Sequence, residues 1–133
     1  MVCVSRTEAN AEKVAAEVRA LGRRAWALAV DVSDSASVAA AAEKILAEAG
    51  RVDVLVNNAG VTKDGLLMRM SEADWDQVLN TNLRGTYLAT RYAWPHLRVS
   101  KGQVVMLSSV AGVQGFSGST AYCASKHGMN GLA

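Results

Sequence analysis

Four short apolar runs punctuate this chain, Met1-Val-Cys-Val4, Ala25–Val30, Val52–Val56 and Gln103–Leu107, and helical sequence separates each from the next. Between them, apolar residues recur with the 3.6-residue period of an amphipathic helix, as at Ala11, Val14, Ala15, Val18 and Leu21, and again at Val38, Ala41, Ala42, Ile45, Leu46 and Ala49. Strands alternating with helices build βαβ units, and these close only as a parallel sheet covered by helices. The expected class is therefore α/β, a Rossmann-type, doubly wound parallel sheet. With 133 residues and no linker, repeat or low-complexity stretch, residues 1–133 read as one domain.

Punctuation supports this reading. Gly22 and Gly50 are natural helix stops. Ser33 or Ser35 is expected to cap the second helix, and Ser71-Glu-Ala-Asp74 resembles a capping box that opens a long helix reaching about Leu97. Pro95 is expected to kink or end it. Ala25–Val30 is continuous enough in apolar residues to predict a strand buried on both faces.

Composition excludes several classes of function. Half of the residues are hydrophobic and 20% are charged, as in globular domains. A net charge of +2 and the absence of a Lys/Arg run argue against a nucleic-acid or membrane-surface partner. No apolar run approaches the roughly 20 residues of a membrane-spanning helix. Cys3 and Cys123 lack metal-ligand spacing and read as reduced thiols. His96 and His127 have no acidic or cysteine cluster beside them, so both read as surface or packing residues, and no metal site is expected. The expected compartment is the cytoplasm, or an organelle whose targeting segment lies outside this sequence.

The residues that carry chemistry cluster late in the chain. Tyr122 and Lys126 lie four apart, on one face of the last helix. An ammonium beside a phenol favours the phenolate, which makes a proton donor and acceptor usable near neutral pH. Ser109, just past the fourth apolar strand, could reach the same point. This chemistry suits reduction of a carbonyl or oxidation of an alcohol beside a hydride carrier. Asn82 lies on the inward stripe of the long helix with Trp75, Val78, Leu79, Leu83 and Thr86. A buried amide needs partners, so Asn82 is either a structural tie or an anchor for water or backbone near Lys126.

Three further segments fall at strand ends, where parallel sheets bind ligands. Asn57-Asn58-Ala59-Gly60 is either an ordinary turn or a place where a flat cofactor approaches bare backbone. Asp31-Val32 could receive an adenine amino group, or Asp31 could be a solvated turn residue. Ser5-Arg6 follows the first strand with no acid present, and a guanidinium there suits the 2′-phosphate of NADP(H). The alternative is a surface arginine. Leu66–Met70 reads as a packing segment, with the flank of a substrate cleft as the alternative.

Taken together, Asn57-Asn-Ala-Gly60, Asn82, Ser109 and Tyr122-x-x-x-Lys126 resemble the short-chain dehydrogenase/reductase family, in the family's order and over essentially the whole chain. Within it, Val61–Met70, Asp74-Trp75 and Thr81-Asn82-Leu83 resemble the 3-oxoacyl-[acyl-carrier-protein] reductases, whereas Gly115–Tyr122 departs from their usual pattern. The resemblance implies that Tyr122 protonates the substrate oxygen as NADPH delivers hydride. It implies that Lys126 tunes Tyr122 and binds the nicotinamide ribose, that Ser109 bonds the substrate carbonyl, and that Asn82 holds a water linked to Lys126. It assigns cofactor contacts to Ser5, Arg6, Asp31, Val32, Asn58, Ala59, Gly60, Tyr122 and Lys126. The implied substrate is a small molecule or an acyl group on acyl carrier protein; Arg98 and Lys101, before the fourth strand, either meet that acidic carrier or form a solvated helix end. The implied assembly is a homotetramer or homodimer, through the helices around Trp75–Leu97 and after Tyr122. Other ketones or alcohols (sugar, steroid, sphingoid base) and a non-catalytic dinucleotide-binding module are the competing readings.

The family's Thr-Gly-x-x-x-Gly-x-Gly turn has no counterpart among the eleven glycines. Met1 falls where the family has its second strand, and the strands after the Lys126 helix have no counterpart either. The expectation is a fragment of a longer reductase: a partial sheet lacking its first strand, whose Gly-rich turn would cradle pyrophosphate, and its C-terminal strands. In a sheet ordered 3-2-1-4-5, that gap falls between the strands beginning at Met1 and Val52. On its own the 133-residue chain is expected to bind NADPH weakly and turn over negligibly.

Overall fold

The opening apolar run forms strand β1 (Val2–Ser5), which pairs in parallel with β2 (Trp26–Ala29), Cys3 opposite Ala27. This pair belongs to a computed structural model that describes residues 1–133. The chain divides into two compact units, Met1–Arg51 and Val52–Ala133. Each holds one two-stranded parallel sheet, β1 with β2 and β3 (Val54–Asn57) with β4 (Gln103–Met106). The strands beginning near Met1 and Val52 thus belong to different sheets.

In the first unit, α1 (Glu8–Ala20) makes the crossover from β1 to β2. Its inward positions Ala11 and Ala15 are small, and Ala15 packs with Cys3 and Ala25, flanked by Val18 and Ala27. Alanine both favours the helix and lets its axis approach the sheet. α2 (Ser35–Ala49) is capped by Asp34, whose carboxylate accepts from Ser37 N at 2.8 Å. The expected caps are otherwise placed: the Ser33 hydroxyl donates to Asp31 Oδ1, and Ser35 already lies inside the first turn. Gly50 ends α2 at φ 78, where any side chain would be strained, and its N–H closes onto Leu46 O at 2.9 Å. β2 also departs from expectation: Leu28 is buried but Ala29 is exposed, so the strand is not buried on both faces.

In the second unit, β3 and β4 align Val54 with Gln103 and Asn57 with Met106. The ladder continues with Leu107 N donating to Asn57 O at 3.0 Å, which sets the two strand ends side by side. The crossover starts as a loop with one 3-10 turn (Leu67–Arg69), where Leu66, Leu67 and Met68 are exposed rather than packed, and is then helical through α3 (Glu72–Leu79), a π-turn (Asn80–Arg84) and α4 (Gly85–Ser100). Ser71 Oγ caps α3 by accepting from Asp74 N at 3.1 Å, as the capping-box pattern predicts. Pro95 does not end α4, which runs on to Ser100; Leu88 and Leu97, on either side of it, are both buried and hold the helix down. α5 (Thr120–Leu132) is the last element. No helix is long and apolar enough to cross a membrane.

The return from α4 into β4 is tight. Lys101 is left-handed at φ 54, and a Cβ on Gly102 would stand 2.4 Å from Asp53 O and 2.8 Å from Leu97 Cδ2. Asp53 O cannot give way without losing its bond from Gln103 N, 2.9 Å long. Gly102→Ala should therefore destabilise the protein by about 1–3 kcal/mol through overpacking, read as a lower urea midpoint with unchanged slope.

Candidate active site

Parallel pairing brings the carboxyl ends of β3 and β4 together, and α5 crosses beside them. A cleft of about 330 Å³ lies there, lined in part by Asn58, Gly60, Leu107, Ser108, Tyr122 and Lys126. Tyr122 and Lys126 are one turn apart on α5, with Lys126 Nζ 5.7 Å from the centre of the Tyr122 ring. Lys126 is only 5% exposed, and its ammonium donates to the Leu107 carbonyl. Burial strips water from that charge and lowers the lysine pKa below its ordinary 10.5.

Ser109 follows β4 in extended conformation, and its Oγ accepts from Ala111 N at 3.2 Å, capping a short 3-10 turn (Val110–Gly112). A hydroxyl that accepts still has its proton to give. Ser108 rather than Ser109 lines the cleft, so of the two hydroxyls of the serine doublet the structure brings the first to the site. Gly112 allows the loop to rest on α5: a Cβ there would meet Ser108 Oγ at 2.5 Å and Lys126 O at 3.0 Å.

Asn82 is fully buried in the π-turn. Its Oδ1 accepts from Val61 N at 2.8 Å, and its Nδ2 donates to Val61 O and to Ser125 Oγ, both at 3.0 Å. Its main-chain carbonyl accepts the Thr86 hydroxyl at 2.7 Å. Every amide atom thus has a partner, and the side chain ties the segment after β3 to α5. Gly60 sits against it, where a Cβ would come within 3.3 Å of Asn82 Oδ1. Asn58, Ala59 and Gly60 are exposed, whereas Asn57 is buried and donates to Thr90 Oγ1 at 3.1 Å. The β3 motif is thus split: Asn57 anchors inward and the next three residues face outward.

The remaining sequence candidates lie in the first unit, at the carboxyl ends of β1 and β2. Val30 N donates to Ser5 O at 2.8 Å, which aligns Ser5-Arg6 with Asp31-Val32. The Ser33 hydroxyl and N–H, at 2.6 and 2.9 Å, hold the Asp31 carboxyl below the usual carboxylate range, and the nearby Arg6 charge adds to this. Arg6 is exposed. Leu107, Ser108 and Ser125 join the site without having been candidates from the sequence. The doublet Ser108-Ser109 is the signal for the first serine, and the position before Lys126 is the signal for Ser125.

The short chain dehydrogenase family model matches residues 1–133. The chain belongs to that family. It is 43% identical over 124 residues to the 3-oxoacyl-[acyl-carrier-protein] reductase FabG of Staphylococcus aureus (strain Mu50 / ATCC 700699), covering 92% of this chain and 50% of that protein. It is 46% identical over 123 residues to nodulation protein G of Rhizobium sp. (strain N33), covering 92% and 49%. A crystal structure of a metagenomic short-chain oxidoreductase in complex with NADP superposes with a TM-score of 0.92 at 41% identity, covering 98% of this chain and 60% of that one. The chain spans about half the length of the curated relatives it matches.

The buried lysine sets a pH dependence of stability. With its folded pKa lowered, the unfolded chain binds more protons between that pKa and the ordinary 10.5, so this group makes stability rise with pH across that window. Lys126→Met should abolish this part of the rise. Urea midpoints of wild type and variant, compared from neutral pH up to 10.5, should draw together as pH increases.

Proposed function

We propose that this chain carries the proton-handling site of an NADP(H)-dependent reductase that converts a 3-oxoacyl thioester, presented on acyl carrier protein, to the 3-hydroxyacyl thioester. The observation that carries the reading is the meeting of Tyr122 and Lys126 with the β3 and β4 ends on one cleft. The reductase and the NADP-bound oxidoreductase among its relatives point the same way. A dimer or tetramer through the helices around Trp75–Leu97 (α3 to α4) and after Tyr122 (α5) is carried over with the reading.

The residues present suit the cofactor. At Gly60 the cleft wall is bare backbone, so a flat ring can lie against it. Lys126 offers a cation to ribose hydroxyls, and Asn58 and Ala59 lie on the same segment. In the first unit, Arg6 supplies the charge and fork geometry that a 2′-phosphate requires, with Ser5 beside it, and Asp31-Val32 stands at the adjacent strand end for the adenine. When bound, the nicotinamide supplies hydride to the carbonyl carbon.

Every other step belongs to side chains. Tyr122 gives its phenolic proton to the carbonyl oxygen as negative charge develops there. Ser109, whose Oγ already accepts from Ala111 N, donates its hydroxyl to the same oxygen and stabilises that charge. Lys126, fixed by the Leu107 carbonyl, keeps a cation one turn from the phenol. The Asn82 side chain holds the cleft segment through N and O of Val61, so a water bound near Asn82 would use a lone pair left on its side-chain or main-chain oxygen.

NADPH oxidation with an acetoacetyl thioester, assayed on the full-length natural protein, tests the substrate. Turnover of ketosteroids or sugars without the thioester would overturn that assignment. Tyr122→Phe should lower kcat by about 10²–10⁴-fold, the usual share of a general acid, while the NADPH dissociation constant stays near wild type. Arg6→Ala should cut the preference for NADPH over NADH by about 10–100-fold, the worth of one charged hydrogen bond. An unchanged preference would make Arg6 a surface residue.

A further inference from the structure

Ser125 stands between the two residues that define the last helix, yet none of the chemistry above uses it. It has no exposed surface. Its hydroxyl donates to the Tyr122 carbonyl at 2.7 Å and accepts from Asn82 Nδ2 at 3.0 Å. The same Nδ2 reaches Val61 O at 3.0 Å, and Asn82 Oδ1 receives Val61 N at 2.8 Å. One unbroken chain of hydrogen bonds therefore runs from Val61, next to Gly60, through a buried amide to the first turn of α5.

The packing around it makes the link short and specific. One turn beyond Ser125, a Cβ on Gly128 would stand 2.7 Å from Leu83 Cδ2, so α5 approaches the π-turn as closely as a missing side chain permits. At that spacing a serine spans the gap to Asn82, and alanine would fall short by the one atom that bonds. With Asn82 and Ser125 both fully buried, no solvent replaces a lost partner.

We propose that Ser125 is a positioning residue. Its hydroxyl fixes the turn of α5 that bears Tyr122 against the Asn58–Val61 segment, and so sets the distance between the phenol and whatever lies along that segment. The bond chain stands without any assumption about activity; only its effect on turnover rests on the reductase reading.

Ser125→Ala and Ser125→Thr in the full-length natural protein separate this from simple packing. In Ser125→Ala, amide hydrogen exchange at Val61 should quicken by about tenfold or more through local opening. kcat for carbonyl reduction should fall by up to about 10²-fold, as misplacement of a catalytic group does, with KM for NADPH within about twofold of wild type. Ser125→Thr keeps the hydroxyl and should retain both the slow exchange and most of kcat. Wild-type exchange at Val61 in Ser125→Ala would overturn the lock whatever the substrate. Faster exchange with unchanged kcat would overturn the positioning role, and equal losses in the alanine and threonine variants would show that volume rather than the hydroxyl matters. A wild-type protein that reduces no carbonyl would sink the reductase reading while the exchange data still decide the lock.

Discussion

A buried primary amide has two protons and an oxygen to satisfy, and leaving any one bare costs about 1–3 kcal/mol. Asn82 meets that demand on two segments far from its own, Val61 and Ser125. The rest of the second unit is arranged around this requirement. The π-turn gives Asn82 its place, with Val78 and Thr86 buried on the same side. Gly60 and Gly128 let the neighbouring segments come close enough to be bonded. Because the amide is satisfied only when both partners are in position, the wall of the cleft and the helix that bears its chemistry are ordered by the same interaction.

Lys126 is held by opposing effects. Burial disfavours its charge, and a fixed carbonyl, Leu107 O, stabilises it. That carbonyl belongs to the residue just past β4, whose register comes from the bond between Leu107 N and Asn57 O. The position of the ammonium is thus inherited from a strand pairing. Asn57 in turn is pinned to Thr90 on α4. Strand register, helix docking and the site are linked through a few side chains rather than through a large apolar core.

Much of this is legible in the sequence because it rests on local patterns. The period of α1 and α2, the stops at Gly22 and Gly50 and the Ser71 cap each follow from a few neighbouring residues. The four-residue spacing of Tyr122 and Lys126 is enough by itself to put both on one helix face. What the sequence hides depends on distant partners. Asp34 caps α2 because Ser33 is drawn to Asp31, a preference that composition does not reveal. Ala29 is exposed because burial depends on what covers a strand, not on its own apolarity. The π-turn leaves no mark beyond an inward stripe at Val78, Asn82 and Thr86, compatible with an ordinary helix. Ser125 reads as a small helix residue because its partner lies 43 positions away.

Those sequence separations have a kinetic meaning. The bond from Asn82 to Ser125 spans 43 positions, and that from Ser119 Oγ to Asp64, beside the Gly65–Ser119 bridge, spans 55. The helices can begin from neighbouring residues, but these ties form only after long loops have closed, an entropic cost met before the contacts offset it. The cleft is therefore a product of docking, since the β3–β4 pairing and the ties to α5 both join distant segments. A newly made chain would form its helices before its cleft, and any agent that loosens docking would dismantle the cleft while leaving most of the helices standing.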